Sequence, residues 1–234
     1  MRTLLLFIAL FLTFIAKGQT CACSKDSLLQ EYISCKPINF DNGSKLYWSY
    51  NCDSSWLTFK GSNGRKKIIF SLDGDLKALT TRLGYTSFTE FTNTFLVTNR
   101  VISGCCDPDD YYLHDKSSGQ LKKYLGRAVF VSDNRNFPIV VTITKSGYKN
   151  RASANLNELT IYNVDTGKEF RLALTKDDIE KGMKNNGFMF PEDVFDTPSI
   201  IGGYLTLRYF IQDYKKSKKV DYKTIVIDLK KYSS

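Results

Sequence analysis

The sequence predicts an all-β protein built from antiparallel strands, and three observations support this prediction. After residue 39, short segments with alternating apolar and polar residues recur along the chain. Gly, Asn, Asp and Ser stand in nearly every gap between these segments, as turns require. Two segments have helical periodicity instead. We therefore predict meander sheets with one short N-terminal helix and one inserted helix.

The chain begins with a segment typical of exported proteins. Arg2 is followed by an apolar run at residues 4–16, which Thr13 alone interrupts, and the run ends in the small-residue pattern Ala16-Lys17-Gly18. This pattern predicts a secretory signal peptide over residues 1–18. The run is shorter than the roughly 20 residues that a membrane-spanning helix needs. Residues 19–234 then form a single exported β-rich domain of ordinary size.

The predicted location is therefore periplasmic or extracellular. An alternative is an outer-membrane lipoprotein with its lipid on Cys21. Against this alternative, Thr20 occupies the position where bacterial lipoprotein signals usually have Gly, Ala or Ser.

Six cysteines lie in the first half of the chain, and in an exported protein we expect them to be oxidised. They are Cys21, Cys23, Cys35, Cys52, Cys105 and Cys106. Six cysteines allow fifteen pairings. Their spacing favours a bond from Cys21 or Cys23 to Cys35, and another from Cys52 to Cys105 or Cys106. A vicinal Cys105–Cys106 bond is a strained alternative, and the spacing does not match a zinc site.

Two helices are predicted from apolar spacing and capping residues. The first covers residues 24–34, where Ser24 is a suitable cap. The second covers residues 175–186, with Thr175 and Asp178 at capping-box spacing and Gly187 at its end.

The predicted strands follow in chain order from the alternating pattern. They cover residues 46–52, 56–59, 67–72, 94–102, 111–114, 128–132, 139–144, 159–163, 170–174, 204–212 and 222–229. Trp48 and Trp56 lie in the first two and are predicted core residues.

A weak repeat of hairpins adds a prediction about architecture. Residues 112–121 and 161–170 share one plan: a strand, a polar turn with Gly119 or Gly167, and a second strand. A looser copy places Gly74 45 residues before Gly119, and Gly167 follows 48 residues after it. Periods of roughly 40 to 50 residues are those of four-stranded propeller blades.

The pattern resembles the outer hairpins of β-propeller repeats in exported bacterial proteins, over about a quarter of the mature chain. The resemblance implies a small or incomplete propeller-like stack of antiparallel sheets. The tryptophan-aspartate signature of some propellers is missing from the sequence. A β-sandwich is the alternative.

The formal net charge is +9, and most of it lies near the C-terminus. The segment from residue 215 to the end contains seven lysines and two aspartates. Its centre is predicted to be a hairpin tip that carries Lys215, Lys216, Lys218 and Lys219. Such a tip either keeps a sheet edge soluble or binds an anionic glycan, lipid headgroup or acidic protein.

Asp107, Asp109 and Asp110 form the best candidate for a metal-binding loop. Three neighbouring carboxylates offer the hard oxygen ligands that calcium prefers. The same residues are also ordinary turn formers. No other cofactor is predicted.

Catalytic signatures are scarce in the sequence. His114 is the single histidine and is predicted to be a hydrogen-bonded surface residue. A glycosidase based on two carboxylates is the one enzyme class that the composition leaves open. Its candidate acids are Asp107, Asp109, Asp110, Glu90 and Asp133.

The sequence therefore predicts an exported, non-enzymatic recognition protein. Its expected partner is a protein or an anionic glycan, not a nucleic acid, and an inhibitor-like or immunity-like role is one form of this. The alternatives are a carboxylate-dependent glycoside hydrolase and a structural component of an envelope assembly.

Overall fold

The computed structural model describes residues 21–101, 107–132, 134–144, 155–174, 178–210 and 222–232. Within these ranges the chain forms fourteen strands and two α-helices. The strands are β1 (Ile38–Asn39), β2 (Lys45–Tyr50), β3 (Ser54–Lys60), β4 (Lys66–Asp73), β5 (Gly84–Glu90), β6 (Thr94–Arg100), β7 (Asp110–Asp115), β8 (Leu121–Val131), β9 (Ile139–Thr144), β10 (Asn155–Asn163), β11 (Glu169–Ala173), β12 (Phe195–Ile201), β13 (Tyr204–Phe210) and β14 (Tyr222–Asp228).

The strands form three sheets in which neighbours in sequence are neighbours in space. The first sheet contains β1 to β4, the second contains β5 to β11, and the last contains β12 to β14. Each pair of neighbouring strands is antiparallel. The predicted all-β fold of antiparallel meander sheets is therefore confirmed.

The long strand β8 divides the second sheet into two layers. Its first part pairs with β7 as far as Arg127, and its last part pairs with β9 from Ala128 onwards. Gly126, with φ +77°, lies where the pairing changes. Because β8 changes partners here, the two halves of the sheet face each other across a core.

Apolar residues on both faces of the central strands hold the layers together. In β6, Phe95 packs toward the first sheet, whereas Leu96 packs toward Val140 of β9. In β9, Val141 points to the opposite side and packs with Leu205 of the last sheet. The strands alternate between two cores because successive side chains point to opposite faces. The result is a stack of antiparallel layers with apolar cores between them.

Helix α1 (Leu29–Tyr32) is much shorter than the predicted helix over residues 24–34. The carboxylate of Asp26 accepts a hydrogen bond from the backbone N–H of Leu28, so a turn precedes the helix. Ile33 is extended and takes the chain toward Cys35. Helix α2 (Asp178–Asn186) ends as predicted, with Gly187 at φ +70°.

Two of the three predicted hairpin repeats have the same turn. Asp115 and Asn163 each accept hydrogen bonds from the backbone N–H groups two and three residues later. Gly119 and Gly167 follow with positive φ. Gly74 instead begins a 3-10 helix, so the third copy is not a hairpin.

Candidate functional site

Several predicted site residues lie outside the described residues. These are Lys215, Lys216, Lys218 and Lys219 of the basic tip, together with Asp133, Cys105, Cys106 and the predicted signal peptide.

The three aspartates of the predicted calcium loop are described, and they face arginines. Asp109 Oδ1 lies 3.1 Å from Nε of Arg100. Asp107 Oδ1 lies 2.5 Å from Nη2 of Arg127. Asp110 is buried in β7 directly opposite Arg127. In the described part of the chain, no group of three or more His, Cys, Asp or Glu residues is arranged to hold a metal ion.

An open hollow of about 340 Å³ lies beside these aspartates. Tyr111, Glu192 and Asp193 line its other walls. Burial raises the pKa of the Asp193 carboxyl, and the positive charge of Arg127 partly offsets this effect. Four carboxylates line the hollow, and arginines pair with two of them, Asp107 and Asp109.

The structure does not bring Glu90 together with these acids. Glu90 lies opposite Phe95 in β6, whereas Asp110 lies opposite Asn99 at the other end of that strand. Four residues of strand correspond to about 13 Å. A pair of glycosidase carboxyl groups is separated by about 5 to 9.5 Å.

His114 is a core residue, so the prediction of a surface histidine is wrong. It is 3% exposed and stacks on Phe95. Nδ1 lies 3.3 Å from the carbonyl oxygen of Gly119, and Nε2 lies 3.2 Å from the hydroxyl of Tyr85. Since a carbonyl accepts only, Nδ1 donates to Gly119 and Nε2 accepts from Tyr85. Burial lowers the pKa of His114, which favours this neutral form.

The first disulfide bond joins Cys21 to Cys35 and closes the N-terminal segment into a loop. This is one of the two pairings that the spacing favoured, and it is confirmed. The loop contains α1, whose Leu29 is buried beside the first sheet, as is Ile33.

The second disulfide bond joins Cys23 to Cys52, so the predicted bond from Cys52 to Cys105 or Cys106 is wrong. Cys52 lies in the turn between β2 and β3, and its Cα is 4.8 Å from that of Cys23. The backbone of Cys21 also pairs with that of Tyr50 in an isolated parallel β-bridge at the end of β2. This pairing brings the N-terminal segment close to the turn that carries Cys52. Two disulfides indicate an oxidising environment.

An open cleft lies between the disulfide-bonded N-terminal segment and the sheets. The segment contributes Tyr32 and Lys36, while β1 contributes Ile38, β2 contributes Trp48 and β5 contributes Phe88. The cleft has a volume of about 450 Å³ and a mainly apolar lining. We call it the framed cleft.

The deep and outer parts of the framed cleft differ in exposure. Trp48 is buried and packs edge-on against Phe70, so its prediction as a core residue is confirmed. Trp56, the other predicted core tryptophan, is half-buried. Tyr32 is 54% exposed at the rim. The framed cleft was missed from sequence because its walls join segments that only the disulfides and strand pairing bring together.

A strained residue lies in the wall of the framed cleft. Thr81 has φ +73°, in the left-handed region that a β-branched residue rarely adopts. This conformation costs about 1–2 kcal/mol in an L-residue. Backbone strain of this kind persists where the surrounding structure enforces it, often at ligand sites.

Neither helix in the described ranges has the length and hydrophobicity that a membrane-spanning segment requires.

No protein-family model and no curated protein matches the chain. One similar solved structure is that of a hypothetical selenium-binding protein from Sulfolobus tokodaii, with 10% sequence identity and a TM-score of 0.30. The match covers 79% of this chain and 45% of that one, so this chain spans less than half the length of that protein. The similarity is too distant to bear on function.

Proposed function

We propose that this chain is an exported, non-enzymatic recognition protein that binds a protein partner in the framed cleft. The observation that carries the proposal is the Cys23–Cys52 bond, which ties the N-terminal segment that bears Tyr32 to the turn between β2 and β3 of the first sheet. A cavity with fixed walls binds with little loss of conformational entropy. The strain at Thr81 in the same cavity supports a functional role.

The lining of the framed cleft indicates what part of a partner it binds. Trp48, Phe88 and Ile38 provide an apolar cavity, which suits an aromatic or branched aliphatic side chain. Lys36 is exposed at the rim and forms no ion pair within the described ranges. An acidic residue beside the inserted side chain would complement it. The partner is therefore a protein that presents an apolar side chain next to a carboxylate.

The environment of the candidate catalytic groups supports binding over catalysis. Asp107 and Asp109 are each engaged by an arginine. His114 makes its two hydrogen bonds inside the core, away from solvent. A general acid or base must reach a substrate with an uncommitted group, whereas His114 is enclosed in the core and arginines pair with Asp107 and Asp109.

Export is supported by two independent features. The predicted signal peptide ends at Gly18, shortly before the first disulfide-bonded cysteine. Disulfides form and persist mainly outside the cytoplasm.

Retention of the mature protein on a cell-envelope fraction tests the proposal. Tyr32→Ala removes an exposed ring at the rim of the framed cleft, and Tyr204→Ala is the matched control because that tyrosine is 46% exposed on the last sheet. We expect Tyr32→Ala to lose about tenfold in affinity, as interface tyrosines commonly do, and the control to bind normally. Protease treatment of the envelope should abolish binding. Equal retention of both variants, or retention on a protein-free envelope, contradicts the proposal.

A second variant tests whether the walls must be fixed. Replacing Cys23 and Cys52 by Ser frees the wall while leaving its side chains intact. The expected result is weaker retention at a temperature where circular dichroism shows that the variant is folded. Unchanged retention would mean that the disulfide frame is irrelevant to binding.

A further inference from the structure

Three lysines lie side by side across the first sheet. Lys45 of β2 pairs directly with Lys60 of β3, and Lys60 pairs directly with Lys66 of β4. Directly paired residues point to the same face of a sheet, and neighbouring strands are about 4.8 Å apart. The three side chains therefore form a row across the sheet, which we call the lysine row.

This arrangement is unfavourable for the fold taken alone. Like charges that face each other across strands destabilise a sheet. Within the described ranges, none of the three lysines forms an ion pair. The turn from Lys60 to Lys66 contains no acidic residue either. Lys45 and Lys66 are exposed and Lys60 is half-buried, so an external anion can reach the lysine row.

The acids of the neighbouring hairpin tips do not neutralise the lysine row. Asp41 and Glu90 both bind the buried ammonium group of Lys116. Asp115 accepts hydrogen bonds from the hydroxyl groups of Ser117 and Ser118. Asp41 and Glu90 are thus committed to contacts between hairpin tips, and Asp115 is committed to contacts within its own hairpin.

A groove of about 520 Å³ lies beside the β3–β4 turn, on the side of the sheet that carries Phe59 and Lys67, and it meets the lysine row at Lys66. Arg65 and Lys67 line it together with Lys66 of the lysine row. The opposite wall contains Ser117 and Ser118. Since their hydroxyl hydrogens point to Asp115, their oxygen atoms keep lone pairs that can accept hydrogen bonds.

We propose that the lysine row and this groove form a binding site for a linear anionic polysaccharide. The row requires several negative charges in a line, because its ammonium groups are carried on three adjacent strands. The groove adds acceptors for sugar hydroxyl groups and two further cations at its wall. A polymer with a carboxylate or sulfate on successive sugars supplies both the charges and the hydroxyl groups.

The neighbouring side chains favour a polysaccharide over a nucleic acid. The next row across the same face consists of Tyr47, Thr58 and Ile68. Tyr47 is buried, whereas Ile68 is 59% exposed. Proteins that bind single-stranded nucleic acids stack bases on exposed aromatic rings, whereas the row next to the lysine row exposes an aliphatic side chain.

The polysaccharide site is basic, whereas the framed cleft is mainly apolar, and different variants test the two sites. The probes are a polygalacturonate oligosaccharide, which carries carboxylates, and a heparin oligosaccharide, which carries sulfates. The variant replaces Lys45, Lys60 and Lys66 by Glu. The control replaces three exposed lysines elsewhere, Lys122, Lys181 and Lys184, by Glu, so that the net charge changes equally.

We expect the purified mature protein to bind at least one probe and to bind it more weakly as salt rises, since salt screens exposed charges. The lysine-row variant should lose roughly tenfold or more in affinity, because three charge contacts become repulsive. The control should bind within about twofold of the wild type. The carboxylate and sulfate arms distinguish which polymer carries the charge, and binding of either supports the proposal.

Thermal unfolding separates lost binding from lost folding. Lys60→Glu replaces a repulsive pair on each side by an attractive one, so its unfolding midpoint should rise while its affinity falls. Affinity that is unchanged in the lysine-row variant overturns the proposal, as does a failure to bind both probes. Tighter binding of a single-stranded oligodeoxynucleotide than of either oligosaccharide overturns the choice of a polysaccharide.

Discussion

The ammonium group of Lys116 lies 2.9 Å from Oε1 of Glu90, and the lysine side chain is only 2% exposed. The same nitrogen lies 2.5 Å from Oδ1 of Asp41 and donates to the carbonyl oxygen of Phe91 at 2.7 Å. These acceptors belong to two other hairpin tips, so one buried cation joins three turns from two sheets. A buried charge is tolerated only when it is paired and hydrogen-bonded in this way.

Lys116→Met should therefore destabilise the protein. Removing the ammonium group leaves two carboxylates and a carbonyl oxygen without their shared donor, which should lower the free energy of unfolding by about 2 kcal/mol. Lys123→Met is the control, since Lys123 pairs with Glu169 on the surface and such pairs contribute about 0.5 kcal/mol. Urea unfolding of both variants makes the comparison. A similar small loss in both would show that the buried contacts do not hold the tips together.

Gly119→Ala and Gly167→Ala separate backbone strain from packing. Both glycines have positive φ in equivalent turns. A Cβ at Gly119 would lie 2.5 Å from Cδ1 of Phe59, whereas at Gly167 the nearest atom is 3.7 Å away. Gly167→Ala should cost about 1 kcal/mol from strain alone. Gly119→Ala should cost about 3 kcal/mol from strain and overpacking, and equal losses in denaturant unfolding would contradict this packing.

His114→Gln tests the buried histidine through pH. Burial lowers the pKa of His114 in the folded protein below its ordinary value of 6.5. Below about pH 6.5 the imidazole is protonated in the unfolded chain before it is protonated in the folded chain. The free energy of unfolding therefore has its full value above about pH 6.5 and falls as the pH drops below it. The Gln variant lacks this loss. The free energy of unfolding of the Gln variant should be lower than that of the wild type at about pH 7.5, and this difference should shrink as the pH falls to about 5.5. A difference that does not change with pH would count against a neutral, buried imidazole.

Thr81→Gly tests the strain in the framed cleft. Glycine adopts the positive φ of Thr81 without steric cost, so the relief of about 1–2 kcal/mol should offset the extra entropy of the unfolded chain. Stability should match or exceed that of the wild type. Thr86→Gly, in the β5 wall of the same cleft, should instead cost about 1 kcal/mol. A loss of stability in Thr81→Gly as large as that in Thr86→Gly would argue that Thr81 is unstrained.

The strands that the sequence predicted are those whose apolar residues build the cores. Residues 139–144 were predicted to be a strand, and they form β9 with the same bounds. β5 was missed because its sequence is rich in Thr, Ser and Gly, which resembles a loop. β12 was missed because Pro198 interrupts it, and proline is tolerated there because β12 is an edge strand.

The candidate sites depended on register, which local patterns do not reveal. The charge balance of the sequence predicts a basic site at the C-terminal lysines. Lys45, Lys60 and Lys66 are distant in sequence, and only the pairing of β2, β3 and β4 brings them together. The partner of Cys52 likewise depends on where the N-terminal segment crosses the first sheet. Both features arise from contacts between distant parts of the chain.

Mass spectrometry of the protein recovered from cells that export it tests the central claim most directly. The account predicts a chain that begins at Gln19, is found outside the cytoplasm, and yields disulfide-linked peptides joining Cys21 to Cys35 and Cys23 to Cys52. A cytosolic chain that still begins at Met1 and carries these four cysteines as free thiols would contradict it.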